Sequence, residues 1–196
     1  VIRTANLMGY KNTRAKARET NNIAVMISNK ALKDPYFFSV ILNGIEKEAK
    51  RCGYAVNIMS INKKYDNINS ISDFIFKNDI DGVIIVSDIG DDLILQIKEY
   101  VPMVILDHYI EDADIDCIMT ENYQGVSMAI KHLVEVANAT NIGFIGDIGL
   151  AVSYDERWLA FQDIMYRLGL KIDMDLCKID GFEDFAENPE KDIEEF

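Results

Sequence analysis

Two hydrophobic rhythms alternate along this chain. IAVMIS (23–28) is an unbroken apolar run, the mark of a strand buried on both faces. After Asp34-Pro35, apolar positions recur at helical spacing over 36–51 (Phe37, Val40, Ile41, Gly44, Ile45 and Ala49), and Gly53 stops the helix. The same alternation continues. Strands are predicted at 54–60, 81–87, 103–107, 116–120, 141–146 and 176–179. Helices are predicted near 68–78 (Ile68, Ile71, Phe74 and Ile75 inward), at 93–100, at 122–137 (Val126, Ala129, Ile130, Leu133 and Val136 as the buried stripe) and at 154–168. The acidic stretch 183–196 reads as the start of another helix.

Short strands alternating with longer helices predict an α/β fold: a parallel sheet with helices on both faces. Crossovers in such sheets are right-handed, and ligands sit at the carboxyl ends of the strands. Those ends carry Ser28-Asn29, Ser60, Asp88, Asp107-His108 and Asp147. The stretch 141–161 draws most attention. An apolar run meets a glycine-rich bend at Gly146 and Gly149, and a helix begins behind Ser153. Arg157 lies one turn in, with Trp158, Phe161, Ile164 and Met165 on the apolar side. A guanidinium beside a helix N-terminus and a strand mouth suits a polar ligand.

Composition narrows the picture. At 196 residues and 49% hydrophobic, the chain is long enough for one ordinary domain with a packed core. No run reaches the ~18 apolar residues of a membrane span, and no signal peptide opens the chain, so a cytoplasmic protein without membrane contact is expected. Cys52, Cys117 and Cys177 are scattered without metal-like spacing and read as core thiols of a reducing compartment. Net charge is −13, yet residues 1–18 carry Arg3, Lys11, Arg14, Lys16 and Arg18 and no acid, leaving −18 for the rest. That is either a basic tail on an acidic domain or an arm that contacts nucleic acid.

Enzyme and metal chemistry find little footing, and neither cofactor nor metal is expected. GFIGDIG has the spacing G-x-x-G-x-x-G, not that of a dinucleotide loop, and sits at the sixth strand. His132 falls on a solvated helix face, and His108 beside Asp107 lacks a candidate nucleophile. No His or Cys cluster suggests zinc, and the acidic clusters lack the spacing of calcium loops.

Several motifs in order resemble one family, the LacI/GalR transcriptional regulators, with their periplasmic-binding-protein-like effector domain. LMGYKNTRAKAR is similar to the close of the family's helix-turn-helix headpiece and hinge. NNIAVMIS and DPYFFSVILNGIEKEAKRCGY resemble its first strand and helix. DIDGVIIVS and VPMVILD resemble its third and fourth strands. TENYQGVSMAIKHL resembles its Asp-Asn-x-x-Gly helix start, and SYDERWLAF its Ser-x-x-x-Arg-x-x-Gly-Phe pattern. The chain departs from the family at Ala160-Phe161, at Glu121-Asn122 and at Arg18-Glu19, where a leucine ordinarily wedges into the minor groove.

The resemblance implies residues 1–22 as a headpiece and hinge remnant, 23–145 as a first effector-binding lobe and 146–196 as the start of a second, so that the chain reads as a fragment. It places Phe37 and Phe38 against an effector ring, or else as core seals. It places Asp107 in the pocket, or else as a turn cap. Arg157 becomes the effector-binding arginine, or else pairs with Asp155 or Glu156, and Ser153 is an effector contact or an N-cap. Tyr10, Lys11, Asn12, Arg14, Lys16 and Arg18 would face operator DNA. The implied protein is a sugar-responsive repressor and homodimer, whose linker most resembles members answering to β-galactosides. The second reading is a sugar-binding protein for transport or chemotaxis, since fold does not fix function.

Overall fold

The computed structural model describes residues 20–29, 31–33 and 36–180. The basic segment with Tyr10, Lys11, Asn12, Arg14, Lys16 and Arg18, and the acidic stretch 183–196, lie outside the described residues. The described chain forms two compact units. One runs through Leu106 and takes in Ile110–Asp116; the other holds Asp107–Tyr109 and the described residues from Cys117 on.

In the first unit, β1 (Asn22–Ser28), α1 (Phe37–Arg51), β2 (Ala55–Ile61), α2 (Ile68–Lys77), β3 (Gly82–Val86), α3 (Asp91–Lys98) and β4 (Met103–Leu106) follow one another. The sheet order is β2-β1-β3-β4-β5, where β5 is the short strand Asp116–Ile118 at the passage between units. Pairing from β2 through β1 and β3 to β4 is parallel throughout. Because β1 lies inside this order, both of its faces are covered. Val25 and Ile27 pack toward Phe38, Ile41, Leu42 and Ile45 of α1, while Ala24 and Met26 pack toward Ile71 and Ile75 of α2 and Ile94 and Ile97 of α3. Ala24, Val25, Met26 and Ile27 are all 0% exposed. Alternate side chains of one strand thus feed two cores, which is why the run reads as unbroken apolar sequence. Burying each of the larger ones is worth about 1.5–3 kcal/mol.

The second unit is built on α4 (Asn122–Glu135), β6 (Phe144–Ile145), α5 (Val152–Arg167) and β7 (Cys177–Lys178), with β6 and β7 parallel. Ile130, Ile142, Phe161, Ile164 and Met165 form its core. Phe144, Trp158 and Phe161 pack ring on ring at 5.1–5.6 Å and pin α5 to β6. Across the helices, Tyr123 donates to the Asp163 carboxylate, which also takes Arg167 Nε at 2.9 Å.

The structure corrects several sequence expectations. The α1 stripe keeps Ile41, Ile45 and Ala49 but takes Phe38 and Leu42 in place of Phe37 and Val40, which are 44% and 70% exposed. On α4, Ala129, Leu133 and Val136 are exposed, while Asn122, Val126, Ser127 and Ile130 turn inward. An apolar pattern fixes the helical period but not which neighbour covers which side. The sixth strand shrinks to two residues, and α5 begins at Val152 behind Ala151, so Ser153 sits inside the first turn, 4% exposed, rather than capping it. Cys52 and Cys117 are exposed rather than core thiols, while Cys177 is half-buried against the core of the second unit.

Candidate functional site

In the first unit the chain leaves β1 and β3 toward opposite faces, so their carboxyl ends flank the crevice where such sheets take ligands. Two hydroxyls meet there. Ser87 Oγ donates to Ser28 Oγ at 3.2 Å and accepts from Ser28 N at 3.3 Å, and Ser28 Oγ accepts from Ala31 N at 3.1 Å. Ser87 holds a left-handed backbone (φ 75°), unusual for a residue with a Cβ. Beside it, Ser60 at the end of β2 donates to the Asn29 side-chain oxygen. Asp88 is committed elsewhere, to Lys63 Nζ (2.7 Å) and to Gly90 N (2.7 Å). Phe37 and Phe38 open α1, edge to face at 5.0 Å. Phe38 goes down into the core, while Phe37 stays 44% exposed.

In the second unit the structure brings together Asp107, Ser153 and Arg157, with Asn122 and Glu156 between the helices. Ser153 and Arg157 are one turn apart on α5 and share a face. The Asp147 turn and Gly149 (φ 83°) lead into that helix, and Gly149 N donates to Asp155 Oδ1 at 2.7 Å, which ties the bend to its first turn. Asp155 is thereby engaged, and Arg157 pairs with neither Asp155 nor Glu156. Instead its Nε donates to Asn122 Oδ1 at 2.7 Å, and the Asn122 amide nitrogen donates to Glu156 Oε2 at 2.7 Å. The guanidinium lies 5.8 Å from the Tyr154 ring centre, within cation–π range. Its two terminal nitrogens make no hydrogen bond or ion pair among the described residues.

Asp107 also has a left-handed backbone (φ 57°), and its Oδ1 is buried without a hydrogen-bond partner among the described residues. Burial pushes its carboxyl above the ordinary carboxylate range; the Arg157 charge opposes this, Glu156 adds to it, and His108 opposes it. A buried carboxylate oxygen lacking a donor, near a guanidinium with donors to spare, can accept from and donate to a ligand rich in hydroxyls. His108 is itself buried.

Asn122 and Glu156 did not figure among the expected site residues; the sequence offered Asn122 only within a helix-start motif and Glu156 only as an alternative partner of Arg157. Asn122 did leave a signal: it stands four and eight residues before Val126 and Ile130, a polar residue on the buried line of its helix. Glu156 left none.

The model of the periplasmic binding proteins and sugar-binding domain of the LacI family matches residues 20–176. The HTH-type transcriptional repressor PurR of Mannheimia succiniciproducens is 26% identical over 149 residues, which is 74% of this chain and 43% of that protein. The PurR of Actinobacillus pleuropneumoniae serotype 5b is 26% identical over 160 residues, 80% of this chain and 46% of its own length. The chain thus spans under half the length of these curated relatives. Among solved structures, a putative ribose operon repressor from Burkholderia thailandensis superposes with a TM-score of 0.69 at 21% identity, covering 86% of this chain and 63% of that one. A LacI family transcriptional regulator from Lactobacillus casei with bound sucrose gives 0.62 at 22% identity, covering 80% and 57%. At such identities these two show the shared fold. With the family model spanning most of its length, this chain belongs to the family of periplasmic binding proteins and LacI-type sugar-binding domains.

Proposed function

We propose that the chain is the effector-binding core of a sugar-responsive, DNA-binding transcriptional repressor. The observation that carries this is the state of Arg157. Its Nε is tied down, its terminal nitrogens are uncommitted among the described residues, and the Asp107 carboxylate beside it has a buried oxygen without a partner. A planar fork next to a lone acceptor matches the vicinal hydroxyls of a sugar. Effector contacts are assigned to Arg157, Asp107, Ser153, Phe37 and Phe38. A galactoside-like sugar is the class the linker sequence favours.

In this reading residues 1–22 belong to the headpiece and hinge, 23–145 carry the first effector-binding lobe, and the second begins by 146. Tyr10, Lys11, Asn12, Arg14, Lys16 and Arg18 meet operator DNA, mostly through phosphates, which position without reading sequence. The protein works in the cytoplasm as a homodimer and binds rather than catalyses. A transport-type sugar-binding protein would share the fold; that the matched relatives are named as repressors favours the regulator.

The test uses the full-length protein and labelled DNA from the region upstream of its gene. Wild type should bind that DNA, and one member of a panel of galactosides, glucose, ribose and sucrose should change the binding. Arg157→Ala should bind the DNA equally well and ignore the sugar. A variant that still responds removes Arg157 from the site.

A further inference from the structure

Asn122 opens α4 and is 4% exposed, yet it belongs to no apolar core. Its amide is spent on two charged side chains of α5, 34 and 35 residues away: Oδ1 on Arg157 Nε and the amide nitrogen on Glu156 Oε2, both at 2.7 Å. We propose that Asn122 is a positioning residue, which holds Arg157 by its Nε so that the two terminal nitrogens form a pre-set fork for a polyhydroxylated ligand. This rests on the reading of Arg157 as an effector contact.

The geometry supports three steps. An amide turned over would set NH against NH at Arg157 and oxygen against carboxylate at Glu156, so Glu156 decides which way Asn122 faces. A long arginine loses much rotamer freedom when it binds; with Nε fixed and Tyr154 against the guanidinium, much of that loss is taken before the ligand arrives. The neutral amide also stands between Glu156 and Arg157, neighbours in sequence that form no ion pair. Had the carboxylate taken the terminal nitrogens, the ligand would have to displace it.

The experiment measures two things on full-length, 15N-labelled protein. One is the hydrogen-exchange rate of the Arg157 Nε–H, assigned by its loss in Arg157→Lys. The other is affinity for D-galactose, D-glucose, D-ribose and sucrose. In Asn122→Ala, with its helical circular dichroism unchanged, the Nε–H should exchange about tenfold faster or more, and any sugar bound by wild type should bind about tenfold more weakly. Asn122→Gln, which keeps both an acceptor for Nε and a donor for Glu156, should recover part of both. Unchanged exchange in Asn122→Ala, unchanged affinity, or equal loss in the Ala and Gln variants would each overturn the proposal. If wild type binds none of the sugars, the sugar reading fails by itself, and the exchange rates still decide whether Asn122 holds Arg157. If Asn122→Ala does not fold, Glu156→Ala, which frees the amide, should accelerate the same exchange, and an unchanged rate there overturns the proposal as well.

Discussion

Asp107 shows how a residue proposed for binding can work against the stability of its own domain. Burial holds its carboxyl above the ordinary carboxylate range despite the opposing Arg157 and His108 charges. The folded protein therefore grips this proton more tightly than the unfolded chain does. Its contribution to stability is full below the ordinary carboxylate range and is lost as pH rises through the raised value. Asp107→Asn removes that dependence and keeps a side chain that tolerates the left-handed backbone. The variant should melt higher than wild type at neutral pH, show a flatter stability curve through the mildly acidic range, and bind sugar more weakly. A lower midpoint at neutral pH would show that the charge is net stabilising there. At this scale the sequence was partly legible. Arg157 could be located because a glycine bend and a helical pattern bracket it. Asp107's orphaned oxygen and the amide of Asn122 could not, since both depend on which side of a helix or strand faces a neighbour.

Among the elements, the strands and helices of the first unit were legible because their periods are strong: β1 is buried on both sides, and a run such as IAVMIS has few other uses. The second unit was less so. Its strands are two residues long each and are held by close approach rather than by apolar runs. Gly143, just ahead of β6, makes that approach possible, since a Cβ there would lie 2.0 Å from the Leu176 carbonyl oxygen. Gly143→Ala must push β6 and β7 apart and should cost about 2 kcal/mol or more in urea unfolding. Gly44 is the contrast. It lies within α1 with open space around its Cβ position, so Gly44→Ala should stabilise by about 0.5–1 kcal/mol. The reverse ordering of the two variants would contradict the packing described for β6 and β7.

For the whole molecule, the edge of the first sheet bears on assembly. β2 is the terminal strand, and it forms with α1 a groove of about 530 Å³ lined by Leu42, Glu46, Lys50, Tyr54 and Ile58 among others. Ile58 is 56% exposed. The protein is strongly acidic, yet this groove carries one acid and one base, so a two-fold axis can set Glu46 against Lys50 of a second copy. The homodimer proposed above would meet across this face. Ile58→Lys should weaken the full-length dimer at least about tenfold by sedimentation, with the monomer still folded. An unchanged dimer would move the contact elsewhere.

Sugar binding through Arg157, as proposed, is tested most directly by the thermal midpoint of the full-length protein, wild type beside Arg157→Ala, titrated with galactosides, glucose, ribose and sucrose. A ligand that binds only the folded state raises the midpoint with concentration. At least one sugar should raise that of wild type progressively, and none should move that of Arg157→Ala. A panel that leaves wild type unmoved, or one that shifts both proteins alike, would contradict the account.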